Sequence, residues 1–398
     1  MKLPNLVLRP DEERRVKGGH PWIYSNEVDV DKSPITEFSP GEWVTVRDRG
    51  GKALGTAYVN PSTLISARIV NREADQPLTR EQIVERVRRA LALRERLFDV
   101  PYYRLVFGES DDLPGLVVDR HGEVLVAQIN TAGMESLRMD IVAALEECLH
   151  PLAMVLRNDV PARAMEGLEE YVETVIGELP ERMTIEENGV VFEIDPINGQ
   201  KTGWFYDQRE NRARLKRYVK GARVLDVFSY TGGFGIQAAV EGATSVHCID
   251  SSEAALILAL RNAALNRCGD RMTVDQADAF YALRRLRSEK QRFDLIVLDP
   301  PAFARRKKDL RAALEAYARL NRLALQLLEE DGILFTASCS WHVDAHQFTG
   351  ALRAAARGAN KRVQIIERGH QAPDHPVHPA LEETDYLKFT VARVADGL

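Results

Sequence analysis

Cys339 closes the apolar run Gly332 to Ser340 (GILFTASCS), with a serine on each side. A thiolate there could add covalently to a pyrimidine, provided that nearby positive groups or dipoles lower its pKa. By position alone such a cysteine would be core packing, the usual fate of a thiol in an apolar run. What argues otherwise is its place at the carboxyl end of a strand, beside the crevice expected below. Cys148, Cys248 and Cys268 lack that setting. None of the four stands in a CxxC pair, so neither a disulfide framework nor a zinc knuckle is expected.

A second group of residues points to a ligand. Arg223 to Phe228 (RVLDVF) delivers Asp226 into a glycine-rich turn, Ser229-Tyr230-Thr231-Gly232-Gly233-Phe234-Gly235. Bare Cα atoms and backbone N–H groups there allow a nucleotide-like molecule to approach closely. The G-x-G-x-x-G fingerprint of a dinucleotide site is absent, and Asp226 would repel a phosphate. An acid there suits a ligand with a cationic amino-acid part, as in S-adenosylmethionine. Acids recur at the ends of later strands, at Asp250, Asp278 and Asp299. Asp250 lies roughly 20 residues beyond the turn, the spacing of a ribose-binding acid in dinucleotide folds, and Asp278 would accept from the adenine amino group. Each acid singly could be a cap or turn residue; four in order argue for a site.

Asp299 opens Asp299-Pro300-Pro301-Ala302-Phe303, where two prolines force the chain out of the strand into a stiff turn. A rigidly held acid with an aromatic neighbour could hold a flat base or amine. Pro300, Phe303, Arg305 and Arg306 are the candidates for substrate contact. Gly199 to Arg212 (GQKTGWFYDQRENR) is denser in polar and aromatic groups than a linker needs; a β-hairpin packed on the sheet is the structural alternative. His370, His375 and His378 stand among prolines with no common ligand spacing, which reads as a surface or substrate-facing loop and not as a metal site.

These groups need a scaffold. Short, near-continuous apolar strands, Arg223 to Phe228, Ser245 to Asp250, Phe293 to Asp299 and Gly332 to Ser340, alternate with helices, the mark of a parallel sheet covered on both faces. Val363 to Arg368 and Tyr386 to Val394 should close one edge. Upstream, Glu42 to Arg47, Ala53 to Val59 and Leu64 to Val70 read as strands of a small barrel. Arg80 to Leu97 is a helix with Ile83, Val87, Ala90, Leu91 and Leu97 on one face and arginines on the other. Strands at Leu105 to Phe107, Gly115 to Val118, Val124 to Asn130 and Met154 to Arg157, with a helix over Met134 to Leu149, suggest an α+β region.

At 398 residues the chain exceeds one ordinary core. Three domains are expected: 1–72, 73–185 and 186–398. Neither a membrane span nor a signal peptide is evident, which places the protein in the cytoplasm. A net charge of −6 argues against indiscriminate coating of nucleic acid. Four basic clusters nevertheless stand out: Arg14, Arg15 and Lys17; Arg86, Arg88 and Arg89; Arg209, Arg212, Arg214, Lys216 and Arg217; and Arg305, Arg306, Lys307 and Lys308. Singly each reads as a solvated helix face; together they allow a local basic surface.

GQKTGWFYDQRENR, VLDVFSYTGGFG, FDLIVLDPPAF, TASCS and QAPDHPV, in this order, resemble the bacterial large-subunit 23S rRNA cytosine-C5 methyltransferases of type I, which carry an N-terminal PUA domain. LRPDEERRVKGGHPWIYSNEV resembles their PUA start, and YYRLVFGESDDLPGLVVDRHG their central domain, so the likeness spans the chain. It implies an α/β protein with a PUA β-barrel that binds RNA, a central α+β domain and a class I, Rossmann-like methyltransferase domain. It implies S-adenosylmethionine as cofactor, cradled by Asp226, Gly232 and Gly233, with Asp250 on the ribose, Asp278 at the adenine, and Gln208 and Arg209 near the methionine end. The partner implied is 23S rRNA or a large-subunit assembly intermediate, with no membrane and with a homodimer left open.

Cys339 falls on the cysteine of the family's S-C-S motif and is the nucleophile it implies. Related cytosine-C5 enzymes carry a second cysteine after the fourth strand; here that motif is D-P-P-A-F, so one cysteine must suffice. Addition of Cys339 to C6 would make C5 enamine-like, and Asp299 at the N3/N4 edge would favour proton uptake at N3. The base for the C5 proton cannot be named from the sequence. The target must be single-stranded or flipped from its stack. Two alternatives remain: methylation of a guanine or adenine nitrogen, which needs no cysteine, and a non-catalytic ribosome assembly factor.

Overall fold

The computed structural model describes residues 2–304 and 306–396, so the substrate contact expected of Arg305 lies outside the described residues. Contacts divide the chain into two compact units. One holds the chain up to Glu181 with Pro196–Trp204 and Asp374–Leu381; the other holds Arg182–Asp195, Phe205–Pro373 and the chain from Glu382 onward.

In the first unit the strands Glu42–Arg47 and Ala53–Val59 form as their alternation predicts, and the next begins at Ile65. They join Asn5–Val7 and Trp22–Tyr24 in one five-stranded sheet. Val44, Val46, Val59 and Ile69 pack inward on Leu6, Leu8 and Ile23. A second five-stranded sheet runs in the order Tyr171–Gly177, Ala153–Asn158, Val124–Ile129, Leu116–His121, Tyr102–Phe107. The helix Arg80–Leu97 has the expected bounds, and Thr79 and Gln82 exchange capping bonds at its start. Its arginines do not all face water as the amphipathic reading has it. Arg86 and Arg94 are buried, and Arg94 pairs with both oxygens of Asp111 at 2.6 and 2.7 Å. Periodicity cannot reveal a charge whose partner lies elsewhere in the chain. The helix expected over Met134 to Leu149 is two, Ala132–Ser136 and Arg138–Leu149.

In the histidine-rich stretch, expected to be a surface or substrate-facing loop, His370 is exposed and His378 half-buried, but His375 departs from the surface. His375 is buried, its Nδ1 lies 2.9 Å from Asp374, and its ring packs 5.1 Å from that of Phe107. Asp374 in turn accepts from the Arg104 amide at 2.9 Å.

The second unit starts with a hairpin, Met183–Glu187 and Val190–Ile194, turned by Asn188-Gly189 with φ of 52° and 75°. The hairpin alternative for Gly199 to Arg212 does not hold: a 3-10 turn, Tyr206–Gln208, leads there into a short helix, Arg209–Ala213. Beyond it lies a seven-stranded sheet: β1 (Arg223–Val227), β2 (Ser245–Asp250), β3 (Met272–Gln276), β4 (Phe293–Leu298), β5 (Leu328–Ser338), β6 (Lys361–Gly369) and β7 (Lys388–Asp396). The order is 3-2-1-4-5-7-6, with β1 to β5 parallel and β7 antiparallel to both neighbours. The helices α1 (Gly233–Val240), α2 (Glu253–Leu265), α3 (Ala279–Ser288), α4 (Leu310–Leu325) and α5 (Ala345–Ala359) connect them. Leu225, Val227, Ile249, Ile296, Leu298 and Leu334 of the sheet share one buried cluster with side chains from α3, α4 and α5. Chain direction reverses its march across the sheet between β1 and β4, and a crevice at the carboxyl ends of such neighbours is where open α/β sheets bind ligands. No helix among the described residues is long and apolar enough to cross a membrane.

Candidate functional site at the carboxyl ends of the parallel strands

Asp226, on β1, is buried, and its Oδ2 accepts from the Gly235 amide at 2.8 Å. The intervening turn is tightly wound: Phe228, Tyr230 and Gly232 all have positive φ, of 65°, 49° and 84°. Gly235 has no room for a side chain, since a Cβ would lie 2.7 Å from Cys248 Sγ and 3.1 Å from Asp226 Oδ2. Asp226 Oδ1 and Thr231 Oγ1 are buried with no hydrogen-bond partner among the described residues. Burial first, then repulsion from Asp299 and Asp250, pushes the Asp226 carboxyl up to about 7, against the opposing Gly235 N–H.

Asp250, at the end of β2, accepts from the amides of Ser252 and Tyr230, both at 2.9 Å. Its carboxylate thereby ties the glycine-rich turn to the next strand. Asp278 is exposed and caps α3, accepting from the Tyr281 amide at 2.9 Å. The capping use weighed for these acids therefore does occur at Asp278, alongside its position at the strand ends.

Asp299 follows β4, with its amide 3.4 Å from the Val227 carbonyl of β1. Gln208 donates to Asp299 Oδ1 at 2.8 Å, and Asn211 donates to Gln208 Oε1 at 2.7 Å. A chain of buried amides thus aims the acid. Arg209 and Arg212 turn to the buried carboxylate of Glu187; Arg212 Nε lies 2.5 Å and Arg209 Nε 3.4 Å from it. The Arg209 guanidinium also lies over the Tyr206 ring, 5.3 Å from its centre. Arg214 and Arg217 each donate to Glu367 at 2.8 Å. The third basic cluster is therefore largely spent on internal ion pairs, whereas Arg306, Lys307 and Lys308 are exposed.

Cys339 directly follows β5 and is half-buried, with Sγ 3.7 Å from the carbonyl of Pro300. The D-P-P turn and the S-C-S motif thus meet. Ser338 donates to the Tyr317 hydroxyl of α4 at 3.0 Å, and Ser340 Oγ lies 3.1 Å from that hydroxyl while accepting from the Ala304 amide at 3.2 Å. Phe303 packs 4.7 Å from Tyr317, centre to centre. Lys388, opposite Ser338 in the β5–β7 register, donates to the carbonyls of Ser340 and Tyr386, both at 2.6 Å. Desolvation lowers its ammonium to about 8, against the pull of Cys339, Asp385 and Asp344.

The fold therefore gathers Asp226, Gly232, Gly233, Asp250, Gln208, Asp299, Pro300, Phe303 and Cys339 at one end of the sheet, with Asp278 capping at its margin. Tyr317 is absent from the sequence reading, and Asn211 and Lys388 stand there only within longer segments, with no role of their own; the S-C-S serines were the available signal for a hydroxyl network around the thiol. The residues fit S-adenosylmethionine. A carboxyl repelled by two others and an unpartnered buried carboxylate oxygen call for a cation, and its sulfonium and ammonium supply positive charge beside a glycine-rich turn.

A sheet of this order with such a site defines an S-adenosylmethionine-dependent methyltransferase, and residues 165–388 match the family described in those words, while residues 6–72 match the PUA-like domain family. The ribosomal RNA large subunit methyltransferase I of Shewanella frigidimarina is 41% identical over 98% of this chain and 99% of its own. That of Tolumonas auensis is 40% identical over 98% of both. The chain belongs to the ribosomal RNA large subunit methyltransferase I family. Two solved structures share its fold. One is assigned as a methyltransferase and is complexed with SAH, with a TM-score of 0.85 and 22% identity over 98% of this chain and all of that one. The other, assigned as a SAM-dependent methyltransferase of Streptococcus mutans, has a TM-score of 0.83 and 21% identity over the same shares.

Proposed function

We propose that this protein methylates C5 of one cytosine in 23S rRNA through a covalent adduct on Cys339. The observation that carries the reading is the meeting of Cys339 with the Pro300 carbonyl, one residue from Asp299. Nucleophile and base-holding acid then flank one target ring. The names of the relatives support ribosomal RNA as substrate. Bound S-adenosylmethionine supplies an electrophilic methyl group. Asp226 and Asp250 hold it, with Gly232 and Gly233 giving close backbone approach, Asp278 at the adenine, and Gln208 and Arg209 on the methionine side. Gln208 fixes Asp299 against the N3/N4 edge of the cytosine, where a proton is taken up at N3 as Cys339 Sγ bonds to C6. The C5–C6 π pair shifts to C4–C5 as the C4–N3 π pair takes the proton at N3, and the resulting enamine would take the methyl group at C5, the S–CH3 bond breaking to leave a neutral thioether. Loss of the C5 proton then reforms the C5–C6 double bond and expels the thiolate, and N3 returns its proton as the C4–N3 double bond is restored.

Pro300 and Phe303 frame the substrate side, and Arg305 and Arg306 meet RNA phosphate. Residues 1–72, 73–185 and 186–398 serve as RNA-binding, central and catalytic domains of a cytoplasmic enzyme acting on naked rRNA or an assembly intermediate. The test is incubation of wild type and Cys339→Ala with labelled S-adenosylmethionine and unmodified 23S rRNA, followed by mass spectrometry of nucleosides. 5-Methylcytidine that disappears in the variant is expected. A methylated purine, or activity indifferent to Cys339, overturns the mechanism; absence of cofactor binding would leave only an assembly factor.

A further inference from the structure

The adduct chemistry needs a thiolate, yet the Cys339 thiol faces the carbonyl of Pro300, the residue after Asp299, and a carbonyl oxygen with a carboxylate beside it opposes a further negative charge. A cation is required close to Cys339. On the β5–β7 side that cation is Lys388, half-buried, with two of its three N–H groups fixed by the carbonyls of Ser340 and Tyr386. One of those carbonyls belongs to the residue after Cys339, so the lysine cannot swing out to solvent without giving up a bond beside the thiol. We propose that Lys388 is a positioning residue for the Cys339 nucleophile, its clamped ammonium holding the thiol in the thiolate form. The inference rests on the reading of Cys339 as nucleophile. The Sγ proton leaves to solvent, and the ammonium keeps its own three protons.

The groups around this pair favour the ammonium, while the acids among them oppose the thiolate and leave Lys388 as its counterion. Asp344, at the start of α5, and Asp385, in the loop before β7, favour the ammonium, as does Cys339. Tyr317, from α4, stays a neutral phenol because burial pushes its hydroxyl up, and it is engaged with Ser338 and Ser340. Asp299, just after β4, is held by Gln208 and opposes the thiolate. Because desolvation brings Lys388 down to about 8, the ammonium persists at neutral pH and is lost as the pH rises beyond that.

The test is alkylation of the full chain with iodoacetamide from neutral to mildly alkaline pH, with Cys339 followed by peptide mass spectrometry. The native midpoint for Cys339 is expected below that of the same cysteine in the urea-unfolded chain. Lys388→Met and Lys388→Gln should move it up by about one pH unit, about a tenfold loss of thiolate near neutrality; Lys388→Arg should restore most of the shift. A lysine that only braces the backbone would lower methylation without moving the midpoint. Native and unfolded midpoints that coincide overturn the proposal even if the neutral variants fail to fold, and so do folded neutral variants that overlay the wild type. Full methylation by Cys339→Ala would instead overturn the nucleophile reading, a separate result that the alkylation profile does not mimic.

Discussion

Replacing Asp226 with Asn should stabilise the ligand-free protein while weakening its hold on the cofactor. The Asp226 carboxyl rises from 3.8 to about 7 in the folded chain, chiefly through burial. A raised acid binds its proton more tightly folded than unfolded, so its contribution to stability is lost as pH rises from the unfolded pKa through the folded one. Between pH 5 and pH 8 the penalty grows by about 2.5 kcal/mol, at about 1.4 kcal/mol for each pH unit of difference. An asparagine keeps an acceptor for the Gly235 amide and carries no charge, so it escapes that penalty. Chemical denaturation of both proteins at pH 5 and pH 8 reads the effect as a difference of differences, in which every other titrating group cancels. The variant should gain on the wild type by about that amount over the interval. Isothermal titration with S-adenosylmethionine should show wild-type affinity falling by up to tenfold per pH unit below 7 and a flatter, weaker profile for the variant. A stability gap equal at both pH values would refute the argument from repulsion and burial, whatever the effect on binding.

Other perturbations probe the surroundings. Glu187→Ala strands Arg209 and Arg212 without their buried counterion, and a loss of about 3–5 kcal/mol is expected in chemical denaturation. Gly235→Ala drives a methyl group into Cys248 Sγ and the Asp226 carboxylate; it should cost about 1–3 kcal/mol and depress cofactor affinity in calorimetry. Gln208→Leu removes the donor that aims Asp299, so methylation at saturating S-adenosylmethionine should fall roughly tenfold or more, measured by labelled-methyl transfer, with isothermal titration reading separately what the methionine side loses. Lys307→Ala with Lys308→Ala should reduce the salt slope of rRNA binding by about 1 per lysine in filter binding.

The sequence by itself determined the local units. Short apolar runs marked the parallel strands because a strand buried on both faces has no polar side to alternate. Arg80–Leu97 was legible to the residue from its period. Asp226, the glycine turn, D-P-P and S-C-S announced a site because each interrupts a regular element with residues that the element does not need. The three-residue strands Asn5–Val7 and Trp22–Tyr24 were not legible, since so few residues display no period. Nor was the use of the charges: a buried guanidinium such as Arg94 or Arg212 looks on paper like a solvated one until its distant carboxylate is brought to it. Only tertiary structure decided that Asp250 and Asp299 repel a charge on Asp226, that Gln208 aims Asp299, and that the Cys339 thiol faces the Pro300 carbonyl with Lys388 nearby. Each is a relation between residues far apart in the chain. Electrostatic and hydrogen-bond energies depend on distances through space, which spacing along the sequence leaves open until the sheet order fixes them.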